Sequence, residues 1–579
     1  MEVNIPQNQI PVISPYPSDQ LGDFVSTFNI DLTSNLGAIR TTRMNRNGAP
    51  TATPNDIAYY GSKYYYTADG GVYQGGNSPE DAFTLMTGGS APTDITDEVS
   101  SLEEFNGYLY VIGTGNGDGI VKYNGSWSTV SAAGLNSSSI MHLSKTFGNL
   151  LYITDVQNVV HVTAADALNL TGTSTFNPGL SSSWIPTFLD ASFDSLFVGY
   201  LNVDTGKGII YEWDGSSENT ATRKFELASG PLAGCIKDNI PYIVDTRGRL
   251  MAYSGTAFIR VASLNNKEDL VYRGVDDSNF TIERPVHPHG MDVTDTGRIL
   301  ILFNNPLSPA SGGVPTDWDN TNKSGVYEYD ENIGLYHKYS PSYTTASVVD
   351  YGSMRLNQVG ALFFRRPNTS PAESGTFLCG ASIFTDDTTV TYSVFYDDNQ
   401  EEFQHFGSFE TTKIFSSHIK STWNKIYVIF KNLLTSTDKI VVKYRVKDST
   451  KTEATCLWDS TNRLITNTDL SAFSQGDEVE VIQGTGAGKT AHITSIDPHG
   501  GGYTVVLDDD FANVTGNCKV FFDNWRKFSS DIDNTHTENF KELSSGELSG
   551  GSFIQIKVSF QSTGKNEIYK LKLSENKVI

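Results

Sequence analysis

Cysteine and methionine are scarce in this chain of 579 residues, at four and seven. Cys235, Cys379, Cys456 and Cys518 lack metal-like spacing, and four cysteines in so long a chain do not make a disulfide framework. Cys456 and Cys518 flank one short module and could lie close together; buried free thiols are the preferred reading. No run of ~18 apolar residues exists, so a membrane-spanning helix is not expected. Residues 1–23 have no basic start and no apolar stretch, which argues against a secretory signal. Pro6, Pro11, Pro15 and Pro17 punctuate this segment instead, and it reads as an extended arm. Long apolar patterns of helical period are missing too.

Positive charge is also thin. The formal net charge is −24, and its distribution says more than its sum. Residues 405–579 hold 20 Lys+Arg against 21 Asp+Glu, whereas residues 1–404 hold 22 against 45. The shift suggests a domain boundary near 402–405. An acidic first part without clustered Lys and Arg is not expected to recognise nucleic acid.

What the chain has is glycine (52 residues), Tyr and Phe, and a recurring hydrophobic pattern. A small polar turn followed by an apolar strand appears at 61–67 (GSKYYYT), 106–113 (NGYLYVIG), 148–154 (GNLLYIT) and 194–199 (DSLFVG). It appears again at 239–244 (NIPYIV), 297–303 (GRILILF) and 360–364 (GALFF). The first four gaps are about 44 residues, the length of a four-stranded propeller blade. The last two are longer, as loop insertions would make them. Following strands such as 119–127 (GIVKYNGSW), 208–215 (GIIYEWDG) and 249–255 (RLMAYSG) end near an aromatic and a glycine turn.

The expected fold is therefore all-β: a β-propeller of about seven blades over 24–404, followed by a β-sandwich with an inserted small β-barrel. The sandwich is expected from 405–452 and 526–579, where Lys alternates with Ile, Val and Leu. The insert spans 453–525. Segments 27–32 (TFNIDL) and 389–396 (TVTYSVFY) are the candidates for closing the propeller ring.

Candidate chemistry is sparse. The segment 484–490 (GTGAGKT) resembles a phosphate loop, but Gln483 stands where the first Gly belongs and an alternating strand follows, so a wide hairpin is expected. His287 and His289 around Pro288, with Glu283 and Asp292 nearby, could ligate a metal but read more simply as an inter-blade loop. Asp317 and Asp319 alternate as in calcium loops, without the closing Gly and Glu. Asp508, Asp509 and Asp510 read as a solvated turn. Thr67–Gly71 only faintly matches a sialidase aspartate box. No catalytic residue, cofactor site or metal site is assigned, and an enzyme is not expected. Tyr59, Tyr60, Tyr64, Tyr65, Tyr66, Trp127, Trp184, Trp213 and Trp318 either pack between blades or present stacking surfaces.

Residues 476–488 (GDEVEVIQGTGAG), with the acidic-aromatic stretch 507–511 and Trp525, resemble a module common in structural proteins of tailed bacteriophages. Lys489 and Thr490 depart from that module, whose hairpin needs only the glycines. The flanking strands 423–430, 439–447 and 553–560 also look like phage tail proteins. Together these cover about a quarter of the chain. The resemblance implies a virion component at the tail or neck/nozzle, assembled in the host cytoplasm. It implies a homo-oligomeric ring in contact with other tail or neck proteins, without telling neck, nozzle and host-contacting tip apart; a host surface glycan or receptor is a further candidate partner. The alternatives are a glycan-binding propeller protein and, behind it, a propeller glycan hydrolase or lyase.

Overall fold

The computed structural model describes residues 24–577 apart from connecting segments. The longer of these are 32–38, 93–98, 265–284, 305–323, 340–354, 367–374, 398–405, 431–438, 484–489, 534–539 and 545–552. The proline-rich arm, Glu283, Asp317–Trp318–Asp319 and the glycine run 484–489 lie outside the described residues. Among the described residues there is no helix.

Seven four-stranded antiparallel sheets form a propeller, as the repeat predicts. The inner strands of blades 1–7 are Asp56–Tyr60, Ser101–Phe105, Ser144–Phe147, Trp184–Ala191, Pro231–Lys237, Met291–Val293 and Arg355–Arg365. Each inner strand lies against its neighbour around the ring, and blade 7 returns to blade 1. The first six repeats fall on second strands, and all but that of blade 4 are entered through a turn with a positive-φ residue. Asn106 and Gly107, at φ 51° and 76°, make one of these turns, which is why Asn-Gly stands there. The seventh repeat is out of phase: Gly360 lies within an inner strand, and the second strand of blade 7 is Thr376–Phe384.

Apolar clusters fill the spaces between blades. Tyr65 and Val72 of blade 1 pack with Leu102, Leu109 and Val111 of blade 2. Tyr64 and Tyr66 pack with Ala361, Leu378 and Val394 of blade 7. The tyrosine-rich run is thus largely core rather than a stacking surface. The seam between blades 7 and 1 is very close: a Cβ on Gly360 would stand 2.0 Å from the Pro54 carbonyl oxygen. Only glycine fits this approach.

Ring closure differs from the expectation in one half. Val390–Asp397 is the third strand of blade 7, close to the expected 389–396. The fourth strand is Met44–Asn47, with Asn47 opposite Val394, and not 27–32. Phe24–Phe28 pairs instead with Phe406–Thr411. The alternating pattern of TFNIDL specifies a face to bury and not a partner.

The C-terminal part is a sandwich. One sheet carries Phe24–Phe28, Phe406–Thr411, Phe553–Gln561 and Lys439–Arg445 in that order. The other carries Ile30–Asp31, Ile39–Thr41, Glu567–Lys577, Ser421–Phe430 and Phe540–Ser544. Their shared core includes Phe409, Ile426, Val428, Val442, Ile556, Val558 and Leu571, together with Ile333 and Tyr336 of propeller blade 6. The sandwich is therefore fused to the propeller through apolar packing.

The insert closes as a six-stranded barrel: Asn517–Lys527 pairs on one side with Lys451–Ser460 and on the other with Asp477–Gln483. Arg463–Thr466, Gly502–Leu507 and Thr490–His499 complete it. Thr490–His499 is the strand expected after the glycine run, in place of a Walker helix. Cys456 stands opposite Cys518 in the ladder, and all four thiols are free and buried. The far end of Asn517–Lys527 continues into the sandwich, where Tyr444 pairs with Arg526.

A buried ion cluster fixes this junction. Lys443 Nζ lies 3.0 Å from Glu478 Oε1, both side chains being 2% exposed, and Lys557 Nζ lies at 3.5 Å. Burial alone would push the Glu478 carboxyl up; the two ammonium groups outweigh it and hold it at about 2.

Two outcomes follow for stability. Removal of residues 1–23 leaves the propeller folded, whereas removal of 1–47 takes away the outer strand of blade 7 and opens the ring. Limited proteolysis and circular-dichroism melting distinguish the two truncations, and equal melts would refute the closure. Lys443→Met strips Glu478 of its nearest counter-charge and costs about 3 kcal/mol in urea denaturation. A loss below about 0.5 kcal/mol would mean that Lys557 alone neutralises Glu478.

Candidate functional site

The central channel gathers the most unusual side chains. Counting back from the turn after each inner strand, Glu103, Lys145, Asp190, Cys235 and Asp292 hold one equivalent position in blades 2–6. They stand opposite Tyr110, Tyr152, Phe197, Tyr242 and Leu300 of the second strands. Blade 1 has Ala58 there, opposite Tyr65.

The acidic members of this layer reach one blade onward. Glu103 Oε1 accepts the Thr146 N–H of blade 3 at 2.9 Å. Asp190 Oδ2 accepts the Ile236 N–H of blade 5 at 2.9 Å. Asp292 Oδ2 accepts the Phe364 N–H of blade 7 at 2.7 Å. Asp56, two positions earlier in blade 1, accepts the Leu102 N–H of blade 2 at 2.6 Å. Between blades 3 and 4 a cation makes the joint: Lys145 Nζ lies 2.8 Å from Asp190 Oδ1. Backbone donors on an inner strand have no ladder partner on the channel side, so a carboxylate from the preceding blade supplies one.

The electrostatics follow from burial and crowding. Asp190 beside Lys145 holds the ammonium above its usual range, against the pull of burial, so it stays charged at neutral pH. Burial pushes the Glu103 carboxyl up, opposed by Lys145. Burial likewise raises Asp292 from 3.8 to about 6, although the N–H groups of Phe364 and Val293 favour its charged form. The Cys235 thiol is pushed well up by burial, which makes it a poor nucleophile. The layer is arranged to join blades: its lysine is ion-paired and its carboxylates are engaged by the backbone.

The residues singled out from sequence separate in space. His289 Nδ1 lies 2.8 Å from Asp56 Oδ1 of blade 1, while Asp292 accepts backbone N–H groups. His287 is buried, with its ring 5.8 Å from that of His289. Among the described residues no group of three or more His, Cys, Asp or Glu is placed to hold a metal. Asp508 is tied to the barrel, accepting the His492 N–H at 2.7 Å. Trp213 is fully buried, stacked on Phe176. Asp56, Glu103 and Asp190 belong to no local motif, and Asp292 stands out in the sequence only as a neighbour of the His287–His289 pair. The signal is a charged residue three places before the turn in blades 2, 3, 4 and 6, visible only once the repeats are aligned.

A second concavity lies in the C-terminal part. A cleft of about 130 Å³ opens where Lys439–Arg445 and Asn517–Lys527 part company, lined by Tyr444, Arg445, Lys447, Ser474, Asp477 and Arg526 among others. Arg526 Nε reaches Asp477 at 3.1 Å and its Nη2 donates to Ser474 Oγ at 2.6 Å.

These features define the class: an all-β protein in which a seven-bladed propeller carries a sandwich and a barrel. No family model matches the chain, and no curated protein matches it. Solved structures align with part of the chain at 12% identity. The computationally designed Ika8 protein matches over 67% of this chain and 99% of its own, with a TM-score of 0.33. BBS1N, solved in complex with ARL6DN, matches over 62% and 96%, with a TM-score of 0.34. PorZ, described as an essential bacterial surface component of the type-IX secretion system of Porphyromonas gingivalis, matches over 66% and 44%, with a TM-score of 0.34. At these scores none bears on function.

The raised Asp292 carboxyl has a signed consequence. A folded-state value above the unfolded one means that the native protein holds the proton more tightly. The contribution to stability is then full below about pH 4 and is lost as pH rises through about 6. Asp292→Asn, which does not ionise, flattens this part of the profile. Urea midpoints measured across that window test it, and parallel profiles for the variant and the parent protein would refute the assignment.

Proposed function

We propose that the protein is a structural component of a tailed-bacteriophage virion, at the tail or neck/nozzle, where copies assemble into a ring and present a surface to the host. The observation that carries this reading is the single-piece construction. The sandwich core takes Ile333 and Tyr336 from propeller blade 6, and the barrel grows out of the sandwich through the shared strand Asn517–Lys527. A rigid platform with a projecting module suits a building block that must hold its shape under repeated contacts. Of the phage-like segment 476–488, the described part includes the barrel strand Asp477–Gln483, which is compatible with this reading. The channel supports the same reading, because its charged groups serve the blade-to-blade joints.

The test is antibody labelling of virus particles purified from the culture that yields the protein, viewed by electron microscopy. Label at the neck or tail is the expected result, and its location separates nozzle from host-contacting tip. Particles that stay unlabelled both intact and disrupted would overturn the proposal and bring the glycan-binding reading forward.

A further inference from the structure

We propose that the protein self-associates head to tail, with the turn bearing Phe193 and Asp194 in one copy seated in the sandwich–barrel cleft of the next. The inference rests on the ring-forming part of the function proposed above and supplies its contact.

Phe193 is the outlier of the described surface. It is 89% exposed, at the tip of the turn between the first two strands of blade 4. The turn is held rigidly. Ser192 N donates to the Ser195 carbonyl at 2.8 Å, and Ser195 N donates back to Ser192 Oγ at 3.1 Å. Phe193 N donates to Asn239 Oδ1 of blade 5 at 3.0 Å, so the neighbouring blade braces the tip. An aromatic ring on a fixed backbone gives up little freedom on docking, which is how interface anchors gain affinity. Ile240, 38% exposed, extends the apolar spot, and Asp194 and Asp238 stand exposed beside it.

The cleft has the opposite character. Its strands pair only through Lys443–Lys527 and Tyr444–Arg526 and then diverge, leaving the concavity open at the edge. Lys447 and Arg526 line it against one carboxylate, Asp477, while the Arg445 guanidinium is taken up by Asp523, Gln555 and the Trp525 ring. Asp477 and Ser474 aim the Arg526 guanidinium, which remains 46% exposed. A fixed guanidinium with an exposed lysine nearby is a receptor for a carboxylate. On the scale of the whole chain, residues 1–404 carry nearly all of the net negative charge, and residues 405–579 are almost neutral. The acidic propeller of one copy is repelled less by the nearly neutral C-terminal part of another than by a second propeller, which disfavours propeller-to-propeller contact. Unlike surfaces in contact make a heterologous interface, the kind that propagates into rings.

Sedimentation velocity of the full chain at low and high salt tests this. Association is expected at low salt and weakens as salt rises. Phe193→Ser and Lys447→Glu, both at exposed positions, should each weaken it about tenfold or more. An equimolar mixture of the two variants regains one sound junction and forms a pairwise complex that neither variant forms alone. A parent protein that stays monomeric throughout, variants that assemble like the parent, or a mixture no larger than its components would each overturn the contact. A monomer whose antibody still labels virus particles would sink this contact and leave the virion reading standing.

Discussion

The propeller depends on carboxylates that cross from one blade to the next. A four-stranded blade satisfies its own ladder but leaves the channel-facing donors of its inner strand unpaired. Glu103, Asp190, Asp292 and Asp56 each answer one of these donors on the following blade. Apolar packing alone would hold neighbouring sheets together without fixing how far one slides along the other. A charged acceptor against a particular N–H sets that register, since a missed donor in this setting costs on the order of 1–3 kcal/mol. The drawback is a cluster of like charges in a narrow space, and Lys145 relieves it from the third blade.

The C-terminal part solves a related problem by different means. A barrel attached through one strand would swing, and buried ions prevent it. Lys443 and Lys557 of the sandwich meet Glu478 of the barrel in a water-poor junction. Arg445 covers the ring of Trp525 at 4.2 Å on the same joint. Buried ion pairs are poor sources of stability but effective at selecting one arrangement among several. The charges in the channel and those at the barrel root act alike in this respect. Each fixes the placement of a sheet that greasy contacts would leave ambiguous.

Much of this architecture was legible in the sequence because it is periodic. Turns such as Asn106-Gly107 announce their hairpins locally, and strand alternation marks the buried face. The blade count, the sandwich strands and the barrel followed from such signals. The partner of a strand is not a local property, and there the pattern misleads: 27–32 pairs in the sandwich, and Met44–Asn47 closes the ring. Gly360 misleads for a related reason. It looks like a turn glycine, but it is required because Pro54 of another blade presses against it. The channel layer was hidden in the same way, since Glu103, Lys145, Asp190 and Asp292 are single residues spread over four repeats.

Threading the first strands through the last domain also dictates an order of events. Met44–Asn47 waits for Val390–Asp397 before it has a neighbour, and Ile39–Thr41 waits for Glu567–Lys577 at the far end of the chain. A ribosome emits these pieces in the least helpful order. Blades 2–5, built from local hairpins, can form as they emerge, while Ile39–Thr41 and Met44–Asn47 stay without these partners until Val390–Asp397 and Glu567–Lys577 have emerged. Long-range pairing of this kind slows folding and leaves bare strand edges in the interim. The ring thus stays open until Val390–Asp397 has emerged to receive Met44–Asn47.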